Sequence, residues 1–187
     1  MFQIAIDEKL YLRLLTVQDA EDLFQVTDAN RAHLKEWLPF LDFTQKVEDS
    51  KSFIENSLAQ FAANNGFQTG IYYENQLVGM IGLHKVDWTN RATSIGYWLA
   101  KDVNGKGIMT KATRAVLTYV FEYLKLERVD IRAATDNVKS RAIPERLGFV
   151  HEGTIRQAEW LYDHFVNHEL YAMVRADYEK LQQGKNE

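Results

Sequence analysis

From Thr93 to Thr110 the chain reads as a strand, a glycine turn and a helix start. Thr93-Ser94-Ile95-Gly96-Tyr97-Trp98-Leu99-Ala100 leads through Asn104-Gly105-Lys106-Gly107-Ile108-Met109-Thr110 into a long amphipathic segment. A helix that opens this way has unbonded main-chain N–H groups in its first turn and the positive end of its dipole beside them, so the turn suits an anion. Gly105 can take a positive φ and Gly107 carries no Cβ, which together let a diphosphate approach the main chain closely. Spacing then separates the phosphate loops. A mononucleotide loop places its lysine directly after the last glycine and a hydroxyl next, whereas Lys106 lies between the two glycines. A dinucleotide fingerprint wants a third glycine, where this chain has Thr110, and a carboxylate at the end of the next strand; Val129 to Ala133 leads instead into Ala134-Thr135. Taken alone, Gly105-Lys106-Gly107 is also compatible with a turn that only starts a helix.

A second segment, Asn137-Val138-Lys139-Ser140-Arg141-Ala142-Ile143-Pro144-Glu145-Arg146-Leu147-Gly148-Phe149, follows the next strand, opens with a helix-capping Asn and closes with a helix-ending Gly. These two motifs, with Leu12-Arg13-Leu14-Leu15-Thr16-x-x-Asp19-Ala20 before them and Gly153-Thr154-Ile155-Arg156-Gln157-Ala158-Glu159 after them, resemble the GCN5-related N-acetyltransferases. The chain is most similar to the bacterial ribosomal-protein N-terminal acetyltransferase branch, and four motifs in the right order carry the resemblance over nearly its whole length.

The resemblance implies an α+β fold, a mixed, mostly antiparallel sheet with helices on both faces and a splayed parallel strand pair holding acetyl-CoA as co-substrate. It implies main-chain contacts from Trp98 and Leu99 to pantetheine, and from Asn104, Gly105, Lys106, Gly107, Ile108, Met109 and Thr110 to the diphosphate. Asn137 would bond pantetheine or the acceptor, and also suits a plain helix N-cap. Ser140 matches the branch's proton donor to the departing thiolate, and Glu159 its general base. The chain departs from the usual pattern at Asn104, where Gln or Arg is commoner, and at Met109, where Gly or Ala is commoner; neither removes an N–H. A third departure is Pro144, at the place where many relatives carry a tyrosine donor. Because Pro144 has no N–H for the carbonyl of Ser140, a bend is expected there that turns the first helical turn toward the sulfur.

Residue patterning supplies the rest of the fold. Thr16-x-x-Asp19 reads as a capping box before a helix, Asn30 to Leu38 as a short helix stopped by Pro39, and Phe53 to Ala62 as another helix ending at Asn64-Asn65-Gly66. Thr69 to Tyr73 and Leu77 to Lys85 read as a hairpin, and Phe165 to Val174 as a late strand. Beyond the glycine turn, Ile108, Ala112, Ala115, Val116, Tyr119, Val120, Tyr123 and Leu124 form an inner helical stripe. The strands flanking that helix, joined by a right-handed crossover, run parallel. At 187 residues, without repeats or a Pro/Gly-rich linker, residues 1–187 suit one domain.

Composition excludes several chemistries. With no cysteine there is no disulfide, thiolate metal site or cysteine acyl-enzyme, so acyl transfer is expected to pass directly from donor to acceptor. No metal site is expected: His164 and His168 on an extended strand would lie ~13 Å apart. A formal charge of −4 and no basic tract argue against nucleic acid, and no apolar run is long enough for a membrane span, so a cytoplasmic protein is expected. Homo-oligomerisation stays open. Amide formation from a thioester needs a neutral amine, oxyanion support, expected from a backbone N–H near Trp98, and a proton for the thiolate. Glu159 beside Trp160 is expected to have a raised pKa and to take the amine's proton through water. The resemblance implies that Trp37, Trp88 and Trp160 lie in regions that wall the acceptor channel, with core packing the simpler expectation for each. The acceptor is expected to be a protein N-terminal α-amine. A small-molecule amine acceptor and a non-catalytic CoA-binding module are the alternatives.

Overall fold

A computed structural model describes residues 2–184. Leu10, Leu12 and Leu14 alternate with Tyr11 and Arg13, the period of a strand, and form β2 (Leu10–Leu14) between the short edge strand β1 (Gln3–Ala5) and β3 (Phe67–Tyr73). Glu74 and Asn75, with φ of +52° and +65°, close the tight turn from β3 into β4 (Gln76–Asp87). Next come β5 (Ala92–Leu99), β6 (Arg128–Ala134), β7 (Val150–Leu161) and β8 (His164–Val174). The eight strands form one sheet in the order β1-β2-β3-β4-β5-β6-β8-β7, antiparallel throughout except for β5 and β6.

Six α-helices accompany it among the described residues: α1 (Ala20–Ala29), α2 (Arg31–Lys35), α3 (Val47–Ala62), α4 (Ile108–Thr118), α5 (Val138–Leu147) and α6 (Arg175–Gln183). Neighbouring strand residues point to opposite faces, and the core divides accordingly. Leu12, Ile81 and Tyr97 join the large cluster that includes Ile108, Ala112, Val116, Val120 and Phe121 of the α4 segment, whereas Tyr11, Met80 and Trp98 belong to a second cluster with Leu23 of α1 and Ile54 of α3. Helices therefore cover both faces, as the resemblance implies.

The capping box at Thr16 forms: the Asp19 carboxylate accepts from the Thr16 N–H (2.6 Å) and Oγ1 (2.8 Å). Asp19 is also clasped by both terminal nitrogens of Arg13 on β2 (3.1 and 2.7 Å), which fixes where α1 leaves the sheet. The helix expected over 30–38 is shorter, because Leu38 adopts the extended backbone (φ −119°, ψ 122°) that a following proline favours, and a 3-10 turn then spans Pro39–Phe43. Strands β1, β2 and β7 add to those read from periodicity.

The inner stripe of α4 holds through Val120 and again at Leu124, but not at Tyr123. Residues Tyr119–Tyr123 form a π-helical turn in which the Leu124 N–H reaches the Tyr119 carbonyl (3.1 Å), five residues back. The wider turn rotates the residues beyond Val120, so Phe121 is fully buried and Tyr123, expected inside, is 74% exposed. Truncating Phe121 to alanine should therefore cost about 3–5 kcal/mol in urea unfolding. Tyr123→Ala should stay within about 0.5 kcal/mol of the parent; the reverse ranking would contradict this register.

Candidate active site

Between β5 and β6 the sheet opens. The parallel ladder runs from Ala92↔Arg128 to Ile95↔Ile131, after which β5 continues with β4 as far as Gly79↔Leu99 and β6 with β8 as far as Ala134↔His168. Gly79 lets β5 lie close to β4 there, since a Cβ at that position would come 2.3 Å from the Trp98 carbonyl oxygen. The Ala100 N–H bonds the Val78 carbonyl (2.8 Å), and the alternation of an antiparallel ladder then turns the Trp98 N–H toward β4 as well. The N–H groups of Tyr97 and Leu99 face the opening instead. Of the N–H groups near Trp98, those open to a ligand are thus its neighbours'.

A cavity of about 340 Å³ occupies the opening. Trp98 and Leu99 of β5, Asn104 and Met109 of the glycine turn, and Asn137 and Ser140 of α5 all line it. Trp37 and Leu38, which follow α2, wall its far side. Trp88 and Trp160 lie elsewhere and are not core residues. Trp88 is 44% exposed and donates to the Asn64 carbonyl (2.8 Å), and Trp160 is 52% exposed against the Phe165 ring. A larger groove of about 780 Å³ between β1 and α4 contains Lys111, already bound to Asp7 (2.7 Å), and none of the glycine-turn residues Asn104 to Thr110.

Gly105 and Gly107 take φ of +80° and +75°, the left-handed region that glycine enters without strain. The Asn104 N–H returns to the Lys101 carbonyl (3.2 Å), and the next internally bonded amide is Lys111, which reaches the Gly107 carbonyl (3.1 Å). Six successive N–H groups, from Gly105 to Thr110, have no internal acceptor among the described residues. Gly107 is the N-cap of α4 and has no side chain to satisfy them. This donor set, with the helix dipole behind it, fits a diphosphate. The Arg146 guanidinium, bonded to Thr110 Oγ1 at 2.9 Å, adds a cation that periodicity did not single out, while Lys106 lies 5.5 Å over the Tyr73 ring.

Asn137 caps α5 as expected, its Oδ1 accepting the Ser140 N–H at 3.1 Å. The other end is closed by Gly148 at φ +84°, with the Phe149 N–H on the Pro144 carbonyl (3.0 Å). α5 runs on through Pro144, and the Ser140 carbonyl that the proline leaves without a helical partner accepts from Tyr97 Oη (2.9 Å). The Ser140 hydroxyl makes no hydrogen bond among the described residues, so it is not spent on its own backbone.

Glu159 is placed differently. It is absent from the wall around Ser140 and faces His168 Nε2 at 3.4 Å, on a β7 stretch that bulges between Ile155↔His168 and Glu159↔Val166. Asn167 holds that bulge: its Oδ1 accepts the Gln157 N–H (2.8 Å) and its carbonyl accepts the Thr135 N–H (3.0 Å) at the approach to α5. His164 pairs with Asp163 (2.6 Å), and among the described residues no three His, Asp or Glu converge as metal ligands.

Behind α5, Glu169 is buried and accepts from His151 Nε2 (2.6 Å), Thr135 Oγ1 (2.9 Å) and Thr154 Oγ1 (2.9 Å). Burial pushes its pKa up, but these donors outweigh it and hold the carboxyl below the usual range.

Known proteins share this sequence pattern and fold. The sequence profile of the acetyltransferase (GNAT) domain matches residues 9–150. YdaF of Bacillus subtilis, provisionally named a ribosomal N-acetyltransferase, is 41% identical over 182 residues, covering 96% of this chain and 98% of its own. The ribosomal-protein-serine acetyltransferase of Escherichia coli is 28% identical over 171 residues, covering 91% and 96%. Among solved structures, RimL, the ribosomal L7/L12 α-N-protein acetyltransferase in complex with coenzyme A, superposes with a TM-score of 0.89 at 25% identity, covering 92% of this chain and 98% of that one.

Two outcomes are expected from this geometry. Gly107→Ala should weaken CoA binding about tenfold by calorimetry, the equivalent of the ~1–2 kcal/mol that a left-handed conformation costs alanine. Glu169→Gln should lower the melting temperature by several degrees at pH 7. A depressed folded pKa contributes stability in full above the unfolded value and loses it as pH falls through the folded one, so the gap between variant and parent should close below about pH 4.

Proposed function

This chain belongs to the GNAT acetyltransferase family, and from that premise we propose that it acetylates the N-terminal α-amine of a protein, of ribosomal type. It is an acetyl-CoA-dependent N-acetyltransferase. The finer reading of the acceptor is supported by the relatives named for ribosomal proteins at 28–41% identity. For the chemistry, the observation that carries the reading is a serine hydroxyl, without a partner among the described residues, on the wall of the cavity where β5 leaves β6.

Acetyl-CoA supplies an acetyl group already activated as a thioester. The six amides from Gly105 to Thr110 hold the diphosphate, and the opening between the strands takes the pantetheine arm, with Trp98 and Leu99 alongside and Asn137 at its edge. The N–H of Leu99 or Tyr97 stabilises negative charge on the carbonyl oxygen as the amine nitrogen adds to its carbon. Ser140 gives its proton to sulfur as the C–S bond breaks and recovers one from solvent. Glu159, paired with His168, takes the proton lost by the amine through intervening water, since it stands outside the cavity wall. No cysteine is available for a covalent acyl-enzyme, so transfer is direct.

Incubation with acetyl-CoA and either N-terminal peptides or polyamines, followed by thiol release, tests the acceptor. Peptides with a free α-amine should turn over and their N-blocked, lysine-containing counterparts should not; a higher kcat/KM for a polyamine would overturn the assignment. Ser140→Ala should lower kcat about a hundredfold with acetyl-CoA saturating. For Glu159→Gln the loss should concentrate below neutral pH, where an α-amine of ordinary pKa near 8 is protonated, and fade above it. A uniform loss at every pH would make Glu159 an orienting group.

A further inference from the structure

Pro144 creates a specific deficit. In an α-helix its N–H would bond the carbonyl of the residue four positions back, which is Ser140. Pro144 is buried and the Tyr97 ring is half-buried against the core, so an unpaired carbonyl between them would be costly. Tyr97 meets the deficit from another part of the fold, its Oη donating to that carbonyl at 2.9 Å. Tyr97 lies two residues past the last β5–β6 pair, and its hydroxyl reaches α5. Burial raises the Tyr97 pKa, so the hydroxyl stays a donor across the working range.

The backbone of Ser140 is therefore held at both ends, its N–H by Asn137 and its C=O by Tyr97. The hydroxyl, on the cavity wall, has no hydrogen-bond partner among the described residues. We propose that Tyr97 is the positioning residue for Ser140, replacing across the strand gap the amide hydrogen that Pro144 withholds, so that Tyr97 and Pro144 act as a matched pair. This rests on the reading of Ser140 as proton donor. The residue also links the strand that supports the carbonyl oxygen to the helix that serves the sulfur.

A five-variant comparison tests it, with kcat and the KM for acetyl-CoA measured together and folding checked by circular dichroism. Tyr97→Phe should lower kcat about tenfold while KM changes less than about twofold, the signature of a displaced proton donor in place of a weakened cofactor site. Adding Pro144→Ala to Tyr97→Phe restores an N–H four residues after Ser140 and should recover most of the lost kcat, with Pro144→Ala alone as reference. In the Ser140→Ala background, Tyr97→Phe should cost nothing further, because the residue acts through Ser140. If Tyr97→Phe lowers only the melting temperature, or its kcat loss adds in full to that of Ser140→Ala, or Pro144→Ala brings no recovery, the inference is overturned. Should Tyr97→Phe fail to fold, the double variant with Pro144→Ala decides: folded and active supports the pairing, unfolded refutes it. Ser140→Ala without effect defeats the donor reading itself, whereas a slow Ser140→Ala beside a normal Tyr97→Phe defeats only this inference.

Discussion

Everything at this site depends on one ladder ending early. Two parallel strands that bonded each other to their tips would leave nothing for a ligand to take. Here β5 and β6 stop pairing at Ile95 and Ile131 and each turns to its antiparallel neighbour. The main-chain groups released on the inner edge of β5 meet those at the start of α4, where no side chain caps the helix. A row of uncommitted N–H donors thus runs from the strand opening into the first turn of the helix. In the proposed reading the cofactor is bound largely by backbone, so the unusual residues at Asn104 and Met109 leave those contacts in place.

The reacting side of the cavity is held by side chains whose positions are set by remote partners. Ser140 is fixed by Asn137 and Tyr97, and the helix carrying it rests on Tyr171, which bonds Glu145 (2.6 Å) and Arg141 (3.0 Å). Beneath lies Glu169 with its three donors, tying the end of β6 to β7 and β8. A buried carboxylate this fully bonded is rigid only while ionised, so the floor under α5 depends on acid pH through a residue outside the chemistry.

What could be read from the chain was whatever is local. The glycine turn, the Asn137 cap and the Gly148 stop are each decided by a few neighbouring residues, and each stands where spacing placed it. Non-local features were harder. β7 is largely exposed and bulged, so no alternation marked it as a strand. The π turn at Tyr119 shifts the helical register by tertiary packing, which no 3.6-residue period can show. Tyr97 looked like one more apolar strand residue; the only local sign of its role was Pro144, whose missing N–H demands a donor from elsewhere. Glu159 shows the limit most plainly, since its motif is legible but its separation from the Ser140 cavity depends on the bulge held by Asn167.

Beside the cavity residue Leu38, Tyr162 at the tip of the β7–β8 hairpin donates to the Leu38 carbonyl (2.5 Å), with Lys35 4.4 Å over its ring. This edge is thus assembled from two short strips distant along the chain, neither of which includes the glycine turn. Substitutions confined to those strips can reshape this edge of the fold while the glycine turn and its row of amides stay as they are.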